Sequence, residues 1–196
     1  MKQILFAIAL VFAAPASYAA EKLSLNELSA YLNGLTTAET TFTQINDDGS
    51  LSTGKLYIHR PGRMRFEYDG EDGATVVAGA GSVVIHDPKS NQPPETYPLK
   101  RTPLSIILAK TVDLARAGMV VGHQFDGTST ILQAQDPENP EYGGLELMFT
   151  SDPVELRKWV VHDSAGGRTT VILGALETGG KLSSFLFNTG PGSKSR

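Results

Sequence analysis

The sequence contains no cysteine among its 196 residues. Such a chain has no disulfide framework, no thiolate metal cluster, no cysteine nucleophile and no lipidated N-terminal cysteine. An excess of positive charge is also missing, because the formal net charge is -4. A net negative charge gives no indication that the protein binds nucleic acid or an anionic membrane surface. What remains, with 40% apolar and 19% charged residues and no repeats, is typical of one globular domain.

Long hydrophobic runs are lacking beyond the N-terminus. The apolar stretch from Ile4 to Ala14 is too short to span a bilayer. Ser17-Tyr18-Ala19 follows it with the small residues that a signal peptidase site requires. We predict a signal peptide over 1–19, with cleavage after Ala20 as the alternative, and a single domain over 20–196. The exported, soluble product must be held together by its core, because it has no disulfides.

A helix is predicted at the start of the mature chain. Ser24 and Glu27 have the spacing of a capping box, and Asn33-Gly34 is a typical helix end. The residues between them form one apolar face at positions i, i+3, i+4 and i+7, namely Leu28, Tyr31, Leu32 and Leu35.

Most of the remaining chain has the pattern of short β-strands. The segment 63–68 alternates charged and apolar residues, which indicates one dry and one wet face. Strands are predicted over 41–45, 56–59, 63–68, 75–78, 82–86, 96–99, 119–124, 130–135, 145–149, 156–162 and 169–176. Short turns join them, so we expect an antiparallel sheet of roughly ten strands, large enough that it must curl, close or split.

A second helical segment interrupts the strands. Thr102-Pro103 supplies an N-cap and a proline for the first turn. The next residues are apolar nearly all round, namely Leu104, Ile106, Ile107, Leu108 and Ala109. A helix of this kind needs apolar partners on more than one side. We expect Val112 to Ala117 to extend it to a stop at Gly118, and a sheet curled around it to enclose an apolar interior.

Signatures of catalysis and metal binding are scarce. No metal-ligand spacing relates the four histidines, which are His59, His86, His123 and His162. His162-Asp163-Ser164 has the residue types of a triad, but consecutive strand residues point to opposite faces and form no relay. Gly79-Ala80-Gly81 lacks the third glycine of a dinucleotide fingerprint. We predict no enzyme, no metal site and no cofactor.

The sequence pattern predicts different environments for three neighbouring arginines. Arg63 and Arg65 share the wet face of their strand, which indicates a solvated edge that blocks sheet pairing. Arg60 instead continues the apolar row of Ile58, where an unpaired charge is costly. Two interpretations stand: Arg60 donates to backbone carbonyls at a helix end, or Pro61-Gly62 turns the chain and Arg60 points to water.

Period-two spacing predicts which strand side chains face inward. These are Leu56, Ile58, Met64, Phe66 and Tyr68, with Phe42 nearby.

Several short segments occur in a distinctive order. They are Thr41-Phe42-Thr43-Gln44, Gly54-Lys55-Leu56, Arg60-Pro61, Val83 to Pro88, Thr102-Pro103 and Leu182 to Phe187. Together they resemble the F-x-Q, G-x-L, R-P and closing F-x-F segments of the periplasmic outer-membrane lipoprotein carrier family (LolA-type). The resemblance covers most of the mature chain and agrees with the signal peptide.

The resemblance implies an α+β fold, an incomplete antiparallel β-barrel whose short helices form a lid over an apolar cavity for lipoprotein acyl chains. The implied cavity residues are Leu32, Leu35, Phe42, Leu56, Ile58, Met64, Phe66, Tyr68, Leu104, Ile107 and Leu108. Arg60 matches the family arginine that bonds the lid backbone in the closed form, with partners expected near Leu32 and Leu108.

The resemblance also implies partners. Lipoproteins are the cargo, an inner-membrane ABC transporter loads the carrier, and an outer-membrane acceptor unloads it. The carrier itself is expected to be a periplasmic monomer. Two alternatives stay open: a periplasmic module of the same fold that binds another apolar ligand or a glycolipid, and a periplasmic hydrolase.

Overall fold

The computed structural model describes residues 21–71, 73–116 and 118–190. The predicted signal peptide and both cleavage positions lie outside these residues. The described helices are α1 (Leu25–Gly34), α2 (Leu104–Leu108) and three short 3-10 helices at Leu99–Arg101, Pro140–Tyr142 and Ser184–Phe187. None of the helices in this part of the chain has the length and apolar character needed to cross a bilayer.

The described chain contains twelve strands. They are β1 (Thr37–Ile45), β2 (Leu51–His59), β3 (Arg63–Tyr68), β4 (Thr75–Gly79), β5 (Ser82–His86), β6 (Glu95–Pro98), β7 (Val120–Phe125), β8 (Thr130–Gln135), β9 (Gly144–Ser151), β10 (Val154–His162), β11 (Arg168–Leu173) and β12 (Glu177–Thr178). The predicted bounds of β3, β5 and β8 are confirmed, whereas the other predicted strands lengthen, shorten or shift at their ends.

The strands form one sheet in which every described pairing is antiparallel. Their order is β6-β5-β4-β3-β2-β1-β11-β10-β9-β8-β7, with β12 beside β1. Strands β6 and β7 therefore form two separate edges, and among the described residues the sheet is not closed. This confirms the incomplete antiparallel barrel. Its concave side is called the inner face below, and the opposite side the outer face.

Helix α1 begins with the predicted capping box. The Glu27 amide donates to Ser24 Oγ at 3.2 Å, and the Ser24 amide donates to the Glu27 carboxylate at 2.7 Å. The helix buries Leu28 and Leu32 almost completely, with Leu35 just beyond its end. Each such leucine contributes about 1.5–3 kcal/mol when buried, so packing on the sheet, more than intrinsic propensity, holds this ten-residue helix.

Helix α2 ends at Leu108, so the predicted extension over 112–117 is wrong for its described residues; Ala117 lies outside them. Long-range hydrogen bonds explain the early end. The Val112 amide donates to Asn33 Oδ1 at 2.9 Å, and the Leu114 amide donates to Ser29 Oγ at 3.0 Å. Because these amides donate to side chains of α1, they do not form the backbone hydrogen bonds of a longer α2. Thr102 is also not the N-cap, because Pro103 occupies that position.

The outer face of β3 is more buried than the sequence predicted. Arg63 and Arg65 do lie on this face, but β3 is an interior strand between β2 and β4. Arg65 is only 1% exposed. Its Nε pairs with Glu67 at 2.6 Å, and its guanidinium donates to Leu186 O at 3.2 Å. The predicted solvated edge is therefore wrong for Arg65, because a segment from the end of the chain covers it.

Gly54 of the G-x-L segment is required by close packing. A Cβ at this position would overlap Glu67 O and lie 2.9 Å from the Phe42 ring. We predict that Gly54→Ala lowers the free energy of unfolding by roughly 1–3 kcal/mol, since a backbone carbonyl cannot move aside cheaply. Urea unfolding monitored by circular dichroism measures the change.

Gly34→Ala is the matched control, because its added Cβ meets nothing within 4 Å. It should leave stability unchanged or slightly raised. Equal unfolding midpoints for the Gly54 variant and the native chain would contradict the packing argument.

Candidate functional site

A small apolar cavity lies between the helices and the inner face of the sheet. Its volume is about 10 Å³. Eight residues line it, namely Leu32, Leu35, Ile58, Arg60, Met64, Ile107, Leu108 and Leu156. All of these except Leu156 belong to the predicted site, so the structure brings together residues from α1, α2 and the β2–β3 hairpin.

The predicted site did not include Leu156, which lies beside a β-bulge in β10. The pairing of β10 with β9 shifts register between Leu156 and Lys158. Both Leu156 and Trp159 are consequently buried although they are three positions apart. Simple period-two counting fails across such an irregularity. The apolar run of β10 was visible in the sequence, but the bulge was not.

The cavity is far too small for an acyl chain. A volume near 10 Å³ is at the lower limit for a single water molecule. The interior of this structure is therefore closed and well packed. Any long apolar ligand has to displace side chains that now fill the space between the helices and the sheet.

The other predicted lining residues on strands belong to the same core, where three of them form an aromatic cluster. The Phe42 ring meets the rings of Phe66 and Tyr68 edge-on, at 5.2 Å in both pairs. Phe66 also contacts Trp159 edge-on at 6.2 Å. Leu56 in the same core is fully buried. These rings pack together within the hydrophobic core that also contains the cavity residues.

Leu104 and the hydroxyl group of Tyr68 are two further features of this apolar interior. Leu104 is only half-buried and packs at the margin of the core. The Tyr68 hydroxyl donates to Gln44 Oε1 at 2.7 Å, which satisfies this polar atom of the aromatic cluster. Burial raises the pKa of Tyr68, so its neutral, donating form is favoured.

Arg60 joins the β2–β3 turn to the end of α2. Its Nη2 donates to Ala109 O at 2.7 Å, and the Gly62 amide donates to Leu108 O at 2.8 Å. The side chain is 8% exposed, and burial lowers the pKa of its guanidinium. Among the described residues, Nε has no hydrogen-bond partner. The solvent-pointing interpretation of Arg60 is therefore wrong.

The partners of Arg60 differ in detail from those expected. The α2 carbonyl belongs to Ala109, one residue beyond Leu108. In place of the expected bond near Leu32, the Arg60 amide donates to Thr36 O at 2.8 Å, two residues beyond the end of α1. The guanidinium thus binds the end of α2, and the backbone of Arg60 binds the link between α1 and β1.

The two helical pieces are tied to each other, and we call residues 25–35 and 104–114 the lid. Asn33 Nδ2 donates to Val112 O at 2.8 Å and Asn33 Oδ1 accepts from the Val112 amide. The lid is also bonded to strand β10, because the Leu156 amide donates to the Tyr31 hydroxyl at 3.1 Å. Burial raises the pKa of Tyr31.

A larger groove lies on the outer face, with a volume of about 800 Å³. Charged and polar residues such as Lys55, Glu67 and His86 line it. An acyl chain placed there would lie against charged groups that keep their water, so the groove does not fit the predicted ligand. In the described part of the chain, no group of three or more histidine, aspartate or glutamate residues can hold a metal ion.

Comparisons with known proteins agree with this geometry. The model of the family described as "Outer membrane lipoprotein carrier protein LolA" matches residues 33–189. A Chromohalobacter salexigens protein named "Outer-membrane lipoprotein carrier protein" is 24% identical over 190 residues, covering 92% of this chain and 89% of its own.

Solved structures with similar architecture are more distant. A LolA superfamily protein from Nitrosomonas europaea is 6% identical with a TM-score of 0.45, covering 85% of this chain and 98% of its own. An uncharacterized conserved protein from Thermus thermophilus is 12% identical with a TM-score of 0.48, covering 87% of this chain and 94% of its own.

A substitution of Asn33 tests whether its side chain ties the two pieces of the lid together. We predict that Asn33→Ala lowers stability by about 1–3 kcal/mol, because it leaves both polar groups of the Val112 backbone unpaired. Amide hydrogen exchange at Val112 should accelerate. Asn26→Ala, an exposed position on the same helix, is the control. If both variants unfold and exchange alike, Asn33 does not tie the two pieces together.

Proposed function

The chain belongs to the LolA family of outer-membrane lipoprotein carriers, and we propose that it ferries lipoproteins through the periplasm from the inner to the outer membrane. The family consists of carriers and not of enzymes. In this proposal an inner-membrane ABC transporter loads the protein and an outer-membrane acceptor unloads it. Residues 20–196 act as a single, monomeric carrier domain once the signal peptide has been removed.

One observation carries the proposal: an apolar site is closed by a lid that polar bonds hold in place. Seven predicted site residues converge on the cavity. Arg60 and Gly62 bind the two carbonyls at the end of α2, at 2.7 and 2.8 Å. We propose that acyl chains enter between the lid and the sheet and replace the lid side chains against Ile58 and Met64.

The energetics favour a lid that is costly to open. Burial of an acyl chain contributes about 0.8 kcal/mol per CH₂, so one long chain gains on the order of 10 kcal/mol. Full burial would bind cargo too tightly for transfer to an acceptor. A carrier that is not an ATPase has to weaken binding by another route. Bonds that form only in the closed lid do so, since each 1.4 kcal/mol lowers affinity about tenfold.

The carrier function itself is tested with purified mature protein. Incubation with inner-membrane vesicles that hold the ABC transporter, a radiolabelled lipoprotein and ATP should release the lipoprotein as a soluble complex with the carrier. Vesicles without ATP are the control. No release under any condition, together with tight binding of a glycolipid or another apolar ligand, would favour the alternative binding module.

Arg60 provides a second prediction. Arg60→Leu removes a charge from an apolar face and adds apolar area, and both changes favour the loaded state over the empty, closed one. We therefore expect normal loading but slow release to the acceptor. A lost hydrogen bond from a charged donor is worth about 1.5–3 kcal/mol, so transfer should slow by roughly tenfold or more. Single-turnover transfer from loaded carrier to acceptor measures the effect.

Two controls accompany Arg60→Leu. Arg157→Leu makes the same chemical change on β10, where the side chain is 46% exposed and pairs with Glu155, and transfer should stay normal. Arg60→Lys should rescue transfer only in part, because an ammonium lacks the planar fork of the guanidinium. Transfer by Arg60→Leu at the native rate would show that Arg60 does not hold the lid.

A further inference from the structure

The last 3-10 helix packs against the outer face, directly behind the turn that binds the lid. Within Ser184–Phe187, which we call the C-terminal segment, Phe187 is 5% exposed whereas Phe185 is 81% exposed. Two contacts hold the segment on the sheet. The Arg65 guanidinium donates to Leu186 O, and Phe187 O lies so close to β4 that a Cβ on Gly79 would be 2.5 Å from it.

The buried ring of Phe187 sits between the two residues that flank the β2–β3 turn. The His59 ring meets it edge-on, with centroids 5.6 Å apart. The Arg63 guanidinium carbon lies 5.9 Å from its centroid, in a cation–π contact. Burial and the nearby charge of Arg63 lower the pKa of His59, which favours a neutral imidazole against the ring. Phe187 thus contacts both ends of the turn from outside.

The inner side of the same turn carries the bonds to the lid. Arg60 follows His59 directly and donates to Ala109 O, while Gly62 precedes Arg63 and donates to Leu108 O. Both bonds require the short turn to present a side chain and an amide at fixed positions at the same time. A turn that is free on its outer side samples other positions and makes these bonds less often.

We propose that Phe187 is a positioning residue for the lid: by packing between His59 and Arg63 it fixes the β2–β3 turn where Arg60 and Gly62 can bind the end of α2. The proposal rests on the proposed function in assigning the lid to cargo release. Its structural part stands alone, because the bond from Gly62 to Leu108 exists without cargo. Phe187 does not line the cavity and is not part of the hydrophobic cluster that contains the lid side chains, so we infer that its effect passes through the turn.

Amide hydrogen exchange by NMR, on the mature chain without cargo, tests the structural part. In Phe187→Ala, the Gly62 amide should exchange about tenfold faster, since aromatic-pair and cation–π contacts together contribute enough for a factor of this size. The Gly174 amide, which donates to Thr41 O at 2.9 Å away from the turn, is the internal reference and should keep its rate. Phe185→Ala, the exposed neighbour in the same segment, should keep both rates.

Three outcomes would overturn the proposal: an unchanged Gly62 rate in Phe187→Ala, equal acceleration at Gly62 and Gly174, or the same acceleration in Phe185→Ala. Gly79→Ala is the second variant and decides the matter if Phe187→Ala does not fold. Its added Cβ displaces the C-terminal segment without removing the ring, so it should also accelerate exchange at Gly62 alone. An unchanged Gly62 rate there counts against the proposal.

Transfer to the acceptor then separates this inference from the carrier function. If the protein carries lipoproteins, Phe187→Ala should slow release, and combining it with Arg60→Leu should add little, because both act on the same bonds. Faster Gly62 exchange with no lipoprotein transfer by the native chain would refute the carrier function and leave the positioning role intact. Lipoprotein transfer by the native chain, together with an unchanged Gly62 exchange rate in Phe187→Ala, would support the carrier function and refute the positioning role.

Discussion

The closed structure depends on two carbonyls at the end of α2 that receive hydrogen bonds from the β2–β3 turn. A five-residue helix cannot hold itself in water, and its last carbonyls have no partner within the helix. Arg60 and Gly62 supply those partners at Ala109 and Leu108. The apolar side chains of α2 can therefore be buried without leaving these two carbonyls unsatisfied.

The apolar and polar parts of the lid have opposite tasks. Leucine and isoleucine side chains of the lid fill the space over the inner face, so exchanging them for acyl chains replaces one set of apolar contacts by another of similar strength per unit area. The polar bonds have no substitute in a lipid ligand. In the proposed carrier they would therefore set the difference in free energy between the empty and the loaded state.

Local patterns in the sequence predicted much of the fold. The capping box of Ser24 and Glu27, the inward row of Leu56 and Ile58 and the outward placement of Arg63 all follow from spacing over a few residues. The errors come from contacts between distant segments. Arg65 is covered by Leu186, 121 positions away, α2 ends early because Asn33 and Ser29 capture amides beyond it, and the bulge after Leu156 breaks the period of two. None of these leaves a mark within one strand or helix.

Within the described part of the chain, β6 and β7 are unpaired edges of the sheet, and in the proposed carrier these edges bear on how much cargo fits. In a closed barrel, strand number and stagger fix the radius, so the lumen widens only if inter-strand hydrogen bonds break. A ribbon with free edges has no fixed circumference. It can uncurl by small changes of twist at every strand, with all ladders intact. In the proposed carrier, capacity would thus be an elastic property of the sheet, and the same set of strands would enclose acyl groups of different number and length.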